Sequence, residues 1–383
     1  MKRLLILATV TALIISFNGC MQNTPTPTAE ETTTQATNPP STTEAPLPQP
    51  TQTPLVAVSL RYVTEETYAD DGTLIFVNRY PNISLTIPDP DIADKIIVDF
   101  LNHTDPQGSA EQVKQLAKEA YTDQAGPFPF TSATYYTPMR TDEGIISFYG
   151  RLSEYTGGAH ENAGFRAINY DMLTGNALEL GDILVDLSLI DAVKELVLQQ
   201  LEPSKDEFYP DYTDIVEQTF EDMTASYKNW YLSNDGLCFF FSPYEIAPYA
   251  VGDVVAQIPY EHLTGILKDA YFPAEKETHD GTLLMSAFQD TDMDTITQIA
   301  EVVTDENGSM WVFQPVGNVR DVRISCDYPN LYGSTDYAEQ HIVFGCDDLA
   351  AGDGIVIQVT PGTQITVTYI SADGEASETY EVN

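Results

Sequence analysis

Basic residues are scarce in this chain. It has 17 Lys and Arg against 58 Asp and Glu, a formal charge of −41 over 383 residues. That deficit argues against nucleic acid as a partner and against an anionic lipid surface held by charge. It leaves solubility, or the steering of a basic partner. Cysteines number four, too few for a disulfide framework. Cys238 lies inside an apolar run and reads as a small buried hydrophobe. Cys326 and Cys346 either pair in an oxidising compartment or stay free, which spacing alone does not decide. The five histidines form no HxxH or HExxH pair, so a zinc enzyme of that kind is not expected. Nucleophile elbows, SxxK, Walker loops and GxGxxG are absent as well. No catalytic residue, metal ligand or cofactor is assigned, although 58 acids leave chance carboxylate pairs open.

The one long apolar run, Leu4 to Phe17, follows Lys2-Arg3 and precedes Gly19-Cys20. It is shorter than the ~20 residues of a membrane span and reads as a signal segment, 1–20. The small residue before Cys20 resembles a lipobox, which predicts lipidation of Cys20 as the only membrane attachment and an extracytoplasmic location. An ordinary secretory signal or an uncleaved anchor is the alternative. Residues 21–54 follow as a tether. Nineteen of the 34 are Thr or Pro, and none is Lys or Arg. Such a stretch cannot bury apolar area and stays extended.

The folded part is expected to be α+β, a mostly antiparallel sheet covered by helices and followed by a small all-β sandwich. Strands are expected at Leu55–Val63, Leu74–Arg79 and Asn82–Ile87. A helix follows at Asp91–Asn102, with Ile92, Ile96, Ile97 and Leu101 on one face, then another at Ala110–Thr122. Ser132–Arg140 and Ile145–Tyr155 form a hairpin, and Phe165–Asp171 is a strand. Leu187–Leu201 is amphipathic through Ile190, Val193, Leu196, Val197 and Leu201, and Tyr212–Thr224 is another helix. Asn234-Asp235-Gly236 is a tight turn between Trp230–Leu232 and Leu237–Phe241. The second of these strands is apolar at every position, so both its faces should be covered. Val254–Tyr260 is the third strand of that group. Beyond a polar hinge at 274–280, short strands recur to the end. The segments are thus 55–154, an N-terminal α+β domain; 155–272, a second α+β domain packed with it; and 281–383, the sandwich.

Two polar or aromatic constellations stand out. Tyr155-Thr156-Gly157-Gly158-Ala159-His160 is a turn in which two glycines permit a sharp bend or a close approach. His160 there either hydrogen-bonds backbone carbonyls, touches a ligand, or does chemistry with a nearby acid. Tyr244-Glu245-Ile246-Ala247-Pro248-Tyr249 is an aromatic loop that either packs on its own domain or meets a partner, with Phe241 beside it and Glu245 placed to pair with a cation. The candidate ligand-binding residues are therefore Tyr155, Gly157, Gly158, His160, Tyr244, Glu245 and Tyr249. Asp290 to Glu301 superficially matches a calcium loop, but Thr295 stands where the sharp turn needs glycine. An acidic turn with Asp294 capping a helix over Ile296–Val302 is expected there instead.

The words FSPYEIAPYAVG and IPYEHL, with YTGGAH, Asn169-Tyr170-Asp171 and Thr174-Gly175 upstream, resemble the extracellular domain of the anti-sigma factors that act as lysozyme receptors. The similarity spans roughly Val56 to Asp269, and Glu161 departs from the small residue or proline usual after that histidine. The resemblance implies a non-enzymatic binding role, with lysozyme or another basic protein as partner, or a cell-wall component such as peptidoglycan. Some relatives carry this domain before a peptidoglycan deacetylase domain; no TFDDG-like or HxxxH segment follows here. The expected function is a surface-anchored envelope lipoprotein that binds without catalysis. The alternatives are a wall-polymer hydrolase or deacetylase-type enzyme using His160, and a structural wall spacer.

Overall fold

The computed structural model describes residues 53–104, 108–122, 128–222, 229–274, 280–329, 331 and 338–382. The expected signal segment, Cys20 and nearly all of the tether lie outside them, as does His279. The class is α+β as expected, with strands in the majority.

Strand β1 (Ala57–Tyr68) runs antiparallel to β2 (Leu74–Thr86) over its whole length. β2 is one strand where two were expected. Pro81 stands within it opposite Tyr62. The next strand pairs with β2 only at Phe76–Arg79, so that side of β2 is open beyond Arg79, where a strand tolerates proline. Helices α1 (Pro90–Thr104) and α2 (Gly108–Thr122) connect β2 to β3 (Phe130–Thr141), which lies parallel to β2. The buried stripe of α1 is Ala93, Ile96 and Phe100. It is rotated from the expected face, and Leu101 is exposed. β4 (Ile145–Tyr155) and β5 (Asn162–Asp171) complete a meander with β3.

A separate layer follows. Helices α3 (Leu180–Ile183), α4 (Ile190–Leu201) and α5 (Tyr212–Asp222) pack on a three-stranded sheet. Its strands are β6 (Trp230–Leu232), β7 (Gly236–Phe241) and β8 (Val254–Pro259). Every residue of β7 is buried, and the alternation explains why. Leu237, Phe239 and Phe241 face the helices with Val193, Val197 and Leu201 of α4. Cys238 and Phe240 face the other way, onto Tyr149, Phe165 and Ala167 of β4 and β5. The helices thus cover this small sheet rather than the main one.

The last hundred residues hold β9 (Thr282–Ala287), β10 (Ile299–Val303), β11 (Ser309–Val316), β12 (Val319–Pro329), β13 (Ala338–Leu349), β14 (Gly354–Val359), β15 (Gln364–Ser371) and β16 (Gly374–Glu381). The arrangement is sandwich-like, as expected, with two sheets about one core, but these strands do not form it by themselves. β9, β10, β11 and β14 make a four-stranded sheet. β12, β13, β15 and β16 instead join β1–β5 in one nine-stranded sheet, in the order β16-β15-β12-β13-β1-β2-β3-β4-β5. The seam is β1 on β13, where Val58 faces Gly345. The expected segments 55–154 and 281–383 therefore share a sheet, and the boundary at 154/155 falls within the β4–β5 meander. The described residues form one compact unit, whose largest core lies between the two sheets, from Val58 and Phe148 to Phe313, Phe344 and Ile357.

The helix expected over Ile296–Val302 is strand β10, parallel to β14. Its alternation of exposed and buried residues, Ile299, Ala300, Glu301, Val302, has the period of a strand. The turn before it is capped by Asp292, which accepts from the Asp294 amide at 3.2 Å. Cys238, Cys326 and Cys346 are all free and buried. On the paired strands Cys326 stands opposite His341 and Cys346 opposite Val322, so the pairing of Cys326 with Cys346 does not occur.

Candidate functional site

The nine-stranded sheet folds back so that β13 reaches β3. A Cβ on Gly345 would come within 2.8 Å of the Pro138 ring, an approach that only glycine allows. Below this contact the Asp347 carboxylate is fully buried. It accepts from the Thr141 amide at 2.7 Å and hydroxyl at 2.9 Å, and from Arg323 at 2.8 Å. Nearby Arg140 donates to Asp142 at 2.6 Å, to the Tyr260 hydroxyl at 2.7 Å and to the Tyr271 carbonyl at 2.6 Å. These bonds tie β3 to β12 and β13 on one side and to the helical layer on the other.

The fold-back leaves a groove of about 740 Å³ between the β3–β5 face, the start of β13 and the loop after β7. Register sets its floor. Tyr135 stands opposite Arg151, Thr137 opposite Tyr149, and Arg151 opposite Phe165, so these side chains share one face. Tyr149 and Phe165 stack with ring centres 5.4 Å apart. Its hydroxyl donates to Asp253 at 2.7 Å, and burial pushes its proton affinity up. Glu161 accepts from both Arg151 and Ser153.

At the β13 end His341 stacks on Tyr135, ring centres 3.9 Å apart and planes 16° apart. Burial pulls the His341 pKa below its ordinary value, against the pull of Glu339. His341 Nε2 lies 3.3 Å from a Glu339 oxygen, and Arg79 Nη1 lies 3.8 Å from the same oxygen. Neither contact is a well-formed hydrogen bond. Among the described residues Arg79 Nη1, Tyr135 Oη and His341 Nε2 are all enclosed and have no well-formed hydrogen bond.

The two constellations singled out in the sequence meet at the lip of this groove. His160 is exposed, and its ring stacks on Tyr249 at 4.6 Å and 24°. Tyr249 contacts Tyr244 at 5.5 Å and also lines the groove. His160 Nδ1 donates to the Glu161 carbonyl at 2.7 Å. Gly157 takes a φ of +93°, which lets the turn bring His160 over Tyr249. Tyr244 is 59 % exposed on a backbone with φ +71°. Glu245 does not reach outward as expected. Its carboxylate accepts from the Ser242 amide at 2.8 Å, and burial raises its pKa. Tyr155 ends β4 opposite Thr131, apart from the groove lining. Gly158 shapes the turn and its missing Cβ would meet the His160 carbonyl at 3.4 Å.

Sequence reasoning missed Tyr135, Tyr149, Arg151, Phe165, Glu339 and His341. One signal was present. Tyr149, Arg151 and Ser153 alternate along β4, which puts an aromatic, a cation and a hydroxyl on one face. Nothing local ties them to His341, nearly two hundred residues on. Among the described residues no group of three His, Cys, Asp or Glu is placed to hold a metal ion.

Residues 181–261 match a family described as a protein of unknown function, DUF3298. That stretch covers the helical layer through β8. Two solved structures of DUF3298 family proteins are similar to this chain, from Pseudomonas aeruginosa PAO1 and from Bacteroides fragilis NCTC 9343. Each is 19 % identical with a TM-score of 0.40 and matches 57 % of this chain. The match takes in 97 % of the first structure and 96 % of the second. No curated protein matches.

Proposed function

We propose that this protein is an envelope lipoprotein, lipid-anchored at Cys20 and held off the membrane by residues 21–54, that binds an envelope ligand in the groove beside β13 without transforming it. The observation that carries the reading is the lining. Polar groups of the lining are already committed to one another, Arg151 to Glu161 and the Tyr149 hydroxyl to Asp253, around flat aromatic faces. Such a surface is preorganised to hold a ligand, since its polar groups need no reorganisation on binding. The His160 ring is engaged by stacking and by a backbone carbonyl, and the carboxylate beside it is held by Arg151 and Ser153. That arrangement favours contact over general-base chemistry.

A cell-wall component such as peptidoglycan is the ligand this concave site favours. A basic protein, lysozyme included, is the second reading. The charge of −41 supports it, because opposite charge raises the rate of encounter, and so does the sequence resemblance to the lysozyme-receptor domain.

Two measurements test the reading. Intact sacculi should retain the full chain from solution, and Tyr249→Ala or His160→Ala should reduce the retained fraction; equal retention removes the groove from the proposal. Release of soluble muropeptides during that incubation would show catalysis and end the non-enzymatic reading. In the native host, palmitate labelling should disappear in Cys20→Ser, and labelling that persists would refute the anchor.

A further inference from the structure

We infer that the groove takes a neutral saccharide, with sugar ring faces on Tyr149, Phe165 and Tyr249 and a hydroxyl or acetamido oxygen received at the β13 end. The inference rests on the groove being the ligand site and names what fills it.

Three observations point to that chemistry. The first is the charge pattern. Arg151 is paired with Glu161, Arg79 lies beside Glu339, and Asp253 holds the Tyr149 hydroxyl. An anionic ligand must break the Arg151–Glu161 pair or face the carboxylates of Glu161, Asp253 and Glu339, whereas a neutral ligand leaves these contacts formed. The second is the half-buried aromatic lining. Tyr149 and Phe165 stack on the floor, and Tyr249 stands at the lip between Tyr244 and His160. Flat π-faces suit the apolar C–H face of a pyranose, while the hydroxyls at its rim meet polar neighbours. Ser153, Glu161, Gln340 and Thr137 supply those neighbours.

The third observation is a set of enclosed polar atoms, Arg79 Nη1, Tyr135 Oη and His341 Nε2, that make no well-formed hydrogen bond among the described residues. Tyr135 and His341 line the groove. Arg79 is 2 % exposed and lies behind Glu339, and its charge reaches both Tyr135 and His341. Buried polar atoms without partners are rare in folded proteins and call for a specific explanation. Arg79 lies where it can donate to the Tyr135 oxygen, which leaves the phenolic O–H as the donor without an acceptor, so what satisfies it is an acceptor oxygen. A hydroxyl or an amide carbonyl is one; an ammonium or guanidinium group from a basic polypeptide is not. A volume of about 740 Å³ falls inside the usual range for ligand sites and has room for a short oligosaccharide.

The test is calorimetric titration of the full chain with tri-N-acetylchitotriose, with cellotriose, which lacks the acetamido group, and with poly-L-lysine. The expected result is saturable heat with a trisaccharide. Tyr135→Phe should weaken that binding by about fivefold or more, the loss of one hydrogen bond, with an unchanged or higher unfolding midpoint. Tyr249→Ala, at a half-exposed position that does not threaten folding, should weaken it as well, and Tyr80→Phe, on the far hairpin, should not. Stronger binding of the chitotriose assigns the deep oxygen to an acetamido group; equal binding assigns it to a hydroxyl.

The inference is overturned if neither sugar binds, if both groove variants bind as the parent does, or if only poly-L-lysine shows a groove-dependent signal. A fall in the unfolding midpoint of Tyr135→Phe, with sugar binding unchanged in Tyr249→Ala, would identify the enclosed atoms as the seat of a buried water only. If the sugars fail but Tyr249→Ala still abolishes retention on sacculi, the groove remains the site and only its ligand class is wrong. If retention is also unaffected, both readings fall together.

Discussion

Tyr244 carries a full side chain on a backbone that suits glycine, with φ +71°. Such a residue is strained by roughly 1–3 kcal/mol, and strain of this kind concentrates at functional segments. The Tyr244 amide donates to the Ala247 carbonyl at 3.0 Å, which closes the loop and holds the ring beside Tyr249. His341 shows a second residue-scale tension. Burial lowers its pKa from the ordinary 6.5, while Glu339 opposes the shift and Arg79 and Arg151 add to it. Because the folded pKa is depressed, the unfolded chain binds more protons in the window just below pH 6.5. Stability is therefore fully present above that pH and falls as the pH drops through the folded value. Unfolding midpoints measured from pH 7.5 to 5 should decline, and His341→Gln should flatten the part of the decline that this residue causes. A variant with an unchanged profile would show that His341 titrates normally. At this scale the sequence was partly legible. The Gly157-Gly158 turn, His160 and the tyrosines of the loop after β7 could be picked out because their spacing is local. Arg79 and His341 could not, since what distinguishes them is burial against residues far along the chain.

Among elements, β13 does the most. It pairs with β12 and with β1, and it carries Asp347 across to Thr141 on β3. Removing the Asp347 carboxylate leaves the buried Thr141 amide and hydroxyl without their acceptor and takes the counter-charge from Arg323, which keeps only its carbonyl acceptors at Pro138, Val322 and Cys346. Asp347→Ala should therefore lose about 3–5 kcal/mol of stability by denaturant unfolding. Asp347→Asn, which keeps one acceptor oxygen, should lose less, and equal losses would mean that geometry rather than hydrogen bonding matters there. The element-level errors have physical causes. An acidic residue before an apolar run points to a helix over Ile296–Val302, yet that run alternates, and the parallel partner β14 supplies the ladder. The apolar face of α1 was rotated because Ile92, Ile97 and Leu101 are as hydrophobic as the stripe that is buried. Which stripe faces inward depends on Phe148 and Tyr136, which meet Phe100 edge-on or tilted.

For the molecule as a whole, the nine-stranded sheet ties the beginning of the folded part to its end. A chain stopped after Pro273 loses β13 from β1 and the entire lower half of the largest core. Such a fragment should lack a cooperative thermal transition, whereas the full chain should unfold its folded unit in one step. A sharp transition in the fragment, seen by circular dichroism, would show that 53–273 is independent after all.

What the sequence determined by itself was mostly what depends on near neighbours. The strand–helix alternation, the tight turn at Asn234-Asp235-Gly236, the two-sided burial of β7 and the acidic surface all follow from local pattern and composition. The tertiary structure alone decided that the last strands extend the first sheet, that Cys326 and Cys346 stay apart, and that two distant aromatic constellations share one groove. Strand pairing across nearly three hundred residues is chosen by the total apolar area buried and by register. No short window of sequence contains that information.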